Sequence, residues 1–144
     1  MSDITEKVAP AKAQYALHGF GDPVVYRLNF AQLEALAAGD YTVVNIPVGK
    51  VPLGGYLVVT KDAASAGAAT VAVKIGTVTV VSALAKTVLT AGKVIPVGPL
   101  VAGTVGGALS GDTATPVVIT VSTADLTDFE CLLVLTTADI AAVN

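Results

Sequence analysis

The chain has no tryptophan, a single cysteine, a single histidine and only 13% charged residues among its 144. Each shortage removes a class of function. Cys131 has no second thiol to pair with, so no internal disulfide is available, and its place in the apolar run Cys131-Leu132-Leu133-Val134-Leu135 reads as a buried small hydrophobe. His18 lacks a second His or a Cys at ligand spacing, which leaves neither a metal site nor a paired catalytic base. Four tyrosines and no Trp make a poor platform for stacking sugars. The eight basic residues are scattered and the formal net charge is −3, so no phosphate-neutralising patch for nucleic acid is foreseen.

Long apolar runs are missing as well, although hydrophobic residues make up 53% of the chain. Lys, Asp, Gly or Pro interrupts every run well short of the roughly 20 residues a membrane-spanning helix needs. The opening Met1-Ser2-Asp3-Ile4-Thr5-Glu6-Lys7-Val8 has no basic head followed by an apolar stretch, so it does not read as a secretory signal. What is present is Val, Ala, Thr and Gly in abundance. A chain of this length and apolarity buries a real core.

Residues 1–23 carry no clean periodicity and close on Gly19-Phe20-Gly21-Asp22-Pro23, a cluster of turn formers. They are expected to form an extended N-terminal arm, with Val8, Tyr15, Leu17 and Phe20 as candidate contacts to a neighbouring subunit. Residues 24–144 are expected to form one β-sandwich domain. Strand signals recur there every 8 to 12 residues, each bounded by Gly, Pro or Asp.

The alternation is explicit in several places. Tyr26, Leu28 and Phe30 share one face against Arg27 and Asn29, Val71, Val73 and Ile75 point one way, and so do Val117, Ile119 and Val121. Other expected strands are 41–47, 55–61, 77–81, 93–96, 97–105 and 130–137. The segment 48–54 is expected to be a loop or edge because of Pro52, and Gly76 either bulges one strand or turns the chain. Phe30, Leu33 and Leu36 at spacing three allow one or two helical turns over 30–38. With eight or nine short strands and no crossover helices, the pattern predicts an all-β, antiparallel fold, a sandwich, jelly roll or barrel.

No constellation for catalysis emerges. Asp125, Asp128 and Glu130 lack the ligand spacing and glycine of a calcium loop and read as turn formers. Ser82, Ser110 and Ser122 stand outside any G-x-S-x-G setting, and Gly103-Thr104-Val105-Gly106-Gly107 is followed by no Lys-Ser/Thr. No enzyme activity, metal or cofactor is expected.

Leu36-Ala37-Ala38-Gly39-Asp40, Ile46-Pro47-Val48-Gly49, Leu57-Val58-Val59-Thr60 and Ala68-Ala69-Thr70-Val71-Ala72-Val73-Lys74-Ile75-Gly76 together resemble the decoration, or cement, proteins on the heads of tailed bacteriophages. Leu89-Thr90-Ala91-Gly92-Lys93, Val118-Ile119-Thr120-Val121 and Leu133-Val134-Leu135 are similar in style. The resemblance spans residues 24–140 and lies in texture: strands rich in Ala, Gly, Thr and Val with few aromatics. It implies a homotrimeric jelly-roll module, made in the host cytoplasm and placed on the outer capsid surface. There it would bridge subunits of the major capsid protein. A tail, fibre or baseplate domain for host attachment is the alternative, and it would expose more aromatic or charged residues than this sequence offers.

Overall fold

A computed structural model describes residues 2–8, 22–98 and 114–139. Nine strands lie among them: β1 (Ser2–Asp3), β2 (Asp22–Asn29), β3 (Gly39–Ile46), β4 (Lys50–Ala64), β5 (Thr70–Ile75), β6 (Val78–Ala85), β7 (Val94–Val97), β8 (Thr115–Ser122) and β9 (Asp128–Asp139). A single 3-10 turn, Thr5–Lys7, follows β1. One sheet has the order β1-β3-β8-β5-β6, and the other has β2-β9-β4-β7.

The topology follows from four nested antiparallel pairs: β2 with β9, β3 with β8, β4 with β7, and β5 with β6. They form one long hairpin folded back on itself, whose successive pairs fall alternately in the two sheets. This is an eight-stranded jelly roll, and the all-β sandwich expected from the strand spacing is what the chain forms. One pair departs from the antiparallel expectation. β1 runs parallel to β3, Ser2 opposite Tyr41 and Asp3 opposite Thr42. No crossover helix is needed, because the chain between them passes through β2 in the other sheet.

The core lies between the sheets and is filled by the residues the alternation selects. Leu28, Leu57, Val59, Cys131, Leu133 and Leu135 enter from one side, and Val71, Val73, Ile75, Val117, Ile119 and Val121 from the other. All are buried. Phe30 and Phe129, also buried, close one end of the sandwich with Leu33, Leu89 and Leu126.

Proline sits where the ladder can spare a donor. Pro23 and Pro96 lie in β2 and β7, the two edges of the four-stranded sheet. Pro52 is the instructive case, because 48–54 is expected to be a loop or edge. From Lys50 onward it is the first stretch of β4, paired to β9 through Pro52 opposite Thr137, while the described pairing of β7 reaches only Gly55 to Val58. Pro52 is therefore tolerated in a strand that is locally at an edge.

Other boundaries move for identifiable reasons. Residues 30–38 form hydrogen-bonded turns and no helix: Leu33 N–H donates to Asn29 C=O, but Glu34 adopts a positive φ of 57° and ends the turn. Gly76, with φ 63°, turns the chain between β5 and β6, where Ile75 faces Val78 across a two-residue loop. β6 runs on to Ala85, past the end expected at Val81. Val94–Val97 covers the strand expected over 93–96, and the strand expected over 97–105 lies, beyond Gly98, outside the described residues.

Candidate docking face

The four-stranded sheet has one face in the core and one outside, and the outer face departs from the usual polar pattern of a solvated antiparallel sheet. Register places its outward residues in rows across the strands. One row is Val25, Val134, Tyr56 and Pro96; the next is Arg27, Leu132, Val58 and Val94. Only Arg27, on an edge strand, is charged. Tyr56 and Val94 are each 53% exposed, and Leu53 beside them is 40% exposed.

A polar border closes this patch along one side. Glu130 stands in the next row, opposite Asn29 on β2 and Lys61 on β4. Arg27 donates to its Oε1 from Nε at 3.1 Å and from Nη2 at 2.8 Å, Thr60 Oγ1 donates to the same oxygen at 3.2 Å, and Asn29 Nδ2 donates to Oε2 at 3.2 Å. Thr60 reaches it because a register shift between Val59 and Lys61 makes it the extra residue of β4. Lys61 pairs in turn with Asp128 at 2.5 Å, which raises the lysine pKa through a hydrogen bond and charge attraction. Along the other side runs a shallow groove of about 370 Å³, lined by Leu53, Gly54, Gly55, Tyr56, Pro96, Val97, Gly98 and Thr136.

The opposite outer surface, on the five-stranded sheet, has different chemistry. Its rows hold Asp40, Thr120 and Ala72, then Thr42, Val118 and Lys74, of which Thr42 and Val118 are buried. Thr120 donates to Asp40 Oδ1 at 2.7 Å, and the Thr70 and Ser122 hydroxyls lie 2.9 Å apart. That face is largely hydroxyl-lined. Among the described residues, exposed apolar rows with a polar border lie on the β2-β9-β4-β7 face, and such a face sheds ordered water against a matching apolar surface.

The residues singled out from sequence are distributed as follows. Val8 is half-buried against the core and lines a cleft with Thr5, Tyr26, Val43, Val44 and Asn45. Tyr15, Leu17, Phe20 and His18 lie outside the described residues. Asp125, Asp128 and Glu130 do not converge: Asp125 Oδ1 accepts from Ala38 N–H at 2.8 Å, Asp128 pairs with Lys61, and Glu130 takes the network above. Among the described residues no group of three or more His, Cys, Asp or Glu is placed to hold a metal ion. Cys131 is buried, and burial, with the Glu130 charge adding to it, pushes its thiol pKa far up, away from nucleophilic use.

The docking rows themselves were not singled out in the sequence. Their signal was loss of alternation: Leu132 and Val134 are apolar although their neighbours Cys131, Leu133 and Leu135 already fill the core side. The fold and its face thus define a jelly-roll module with an exposed apolar patch on one sheet. No protein-family model matches the chain, and no curated protein matches it. Among solved structures it is similar to a chain of the "Capsid of Ralstonia phage GP4", at 16% identity over 89% of this chain and 91% of that one, with a TM-score of 0.48. No helix of the described residues is long and apolar enough to cross a membrane.

Proposed function

We propose that the chain is a structural protein of a tailed-phage virion, a decoration module that seats its β2-β9-β4-β7 face on the outer surface of the capsid. The observation that carries this reading is the pair of rows from Val25 to Pro96 and from Leu132 to Val94, seven apolar side chains facing outward on a closed jelly roll. The texture of the strands, which resembles that of capsid decoration proteins, supports it.

The size of the face sets the mode of binding. Four strands about 4.8 Å apart and two rows of side chains, each taking about 7 Å along the strand, make a patch of about 200 Å², far below the roughly 800 Å² per partner of a stable two-body interface. A single contact of this kind is weak. It becomes strong when a homo-oligomer, a trimer in this proposal, engages several equivalent sites of the major capsid protein at once, because each later contact forms at high effective concentration. Binding only the assembled shell stabilises that shell by mass action, with no reaction involved.

The test is co-sedimentation of the purified protein with phage heads that lack it, alongside the Val94→Asp and Tyr56→Asp variants. The wild type is expected to saturate the heads, and each variant to lose binding by tenfold or more while keeping its unfolding midpoint. Equal binding by both variants removes the proposed face. Quantitative mass spectrometry of purified virions checks the role itself: abundance comparable with the major capsid protein supports decoration, and abundance comparable with a tail component rejects it.

A further inference from the structure

The sandwich is filled unevenly. Phe30 and Phe129 close one end, but at the other end the sheets part around a cavity of about 150 Å³. Its wall is apolar, with Val24 and Leu135 opposite each other on the β2–β9 ladder and Ile46 at the end of β3. The exposed Pro47 and the half-buried Lys50 stand at its mouth.

Two hydroxyl-bearing residues interrupt this wall. Thr137 continues the inward series Cys131, Leu133 and Leu135 of β9 and is only 9% exposed; Tyr26 stands between Val24 and Leu28 in the inward series of β2. Among the described residues, neither hydroxyl makes a hydrogen bond, whereas Thr42 and Thr115, the other buried threonines, each have a partner. A hydroxyl taken out of water without a partner is costly and correspondingly uncommon. Burial also pushes the Tyr26 hydroxyl pKa up, which keeps it a protonated donor.

We propose that this cavity is a binding site for a small molecule of one ring bearing a hydroxyl, a phenol or its like. The ring lies against Val24, Ile46 and Leu135, and its hydroxyl meets Thr137 and Tyr26. Size and wall select the ring, since an apolar cavity of about 150 Å³ takes up benzene. The unpaired hydroxyls select the head, because a bare ring leaves both of them unanswered. Water alone answers the hydroxyls but leaves the apolar wall wet, and a sugar brings more hydroxyls than two partners can satisfy. The site lies on the inner side of β2 and β9, away from the outward rows, so it goes beyond the decoration reading and either can fail without the other.

Phenol and benzene are the probes, each titrated into the full chain with 13C-labelled methyl groups and followed by NMR. Phenol is expected to shift the Val24, Ile46 and Leu135 methyl signals saturably. Benzene is expected to shift the same signals with an affinity at least about threefold lower, the worth of one hydrogen bond. The double variant Thr137→Val, Tyr26→Phe keeps the shape of the cavity and removes both hydroxyls. It is expected to bind the two probes equally, with an unfolding midpoint no lower than that of the wild type, because the groups removed are unpaired. Equal affinities in the wild type, a preference for phenol that survives the double variant, or no saturable shift at these three methyl positions overturns the proposal.

Discussion

Phe30 and Phe129 meet ring to ring with centroids 4.9 Å apart and planes tilted by 51°, and Phe30 N–H donates to Phe129 C=O at 3.0 Å. Two aromatics far apart in sequence thereby lock the end of β2 to the start of β9. In a chain with so few large side chains, this pair is the heaviest element of the core. Phe129→Ala is expected to lower unfolding free energy by about 3–5 kcal/mol, read from urea denaturation. A loss under about 1 kcal/mol would mean that this end of the sandwich collapses to fill the space.

Gly55 marks a place where two strands touch backbone to backbone. A Cβ built there would lie 1.8 Å from the Val134 carbonyl oxygen, which no side-chain movement can relieve. Gly55→Ala is expected to destabilise by at least about 1–3 kcal/mol, and to disturb the Tyr56–Val134 row as β4 is pushed from β9. The thermal midpoint measures the first effect, and head binding measures the second.

Cys131 gives a chemical clock for unfolding. Its thiol is buried and its pKa raised, chiefly by burial, so the reactive thiolate is absent from the native state. An aromatic disulfide reagent is expected to modify it at the rate of global unfolding and at once in urea. Fast modification of the native protein would show that the core opens locally.

The grip of residues 2–8 on the sandwich, through the β1 ladder on β3, the buried Ile4 side chain and the Lys7–Glu34 ion pair, is expected to depend on pH. The Lys7 hydrogen bond and charge hold the Glu34 carboxyl below its ordinary range, so the pair's contribution is full above the ordinary glutamate value and is lost as pH falls through the lowered one. Both side chains are well exposed, so salt screens the pair too. The protection factor of the Ile4 amide is expected to fall in acid and in high salt. Protection that is flat across the carboxylate range would assign the grip to Ile4 and the ladder alone.

Much of this fold is written in two-residue alternation. Val71, Val73 and Ile75 and their counterparts Val117, Ile119 and Val121 declare their inward faces, and β5 begins and ends where the sequence places it. Pro52 misleads because its meaning depends on which neighbour is present, a property of the sheet and not of the segment. Glu34 ends a turn that the spacing of Phe30, Leu33 and Leu36 would continue, since helical spacing says nothing of a single residue's φ. The docking face is harder still: Tyr56, Val94 and Val134 come from three strands, and only pairing register makes them neighbours.

The position of the last two strands has a consequence for how the protein is made. β8 lies between β3 and β5, and β9 lies between β2 and β4, so the middle of each sheet is made after the strands that flank it. Neither β2 nor β3 has its long hydrogen-bonded partner until β9 and β8 have been made. Such pairing across the whole length is slow to nucleate, and the apolar early strands must wait unpaired, a period in which a chaperone or dilution protects them from one another.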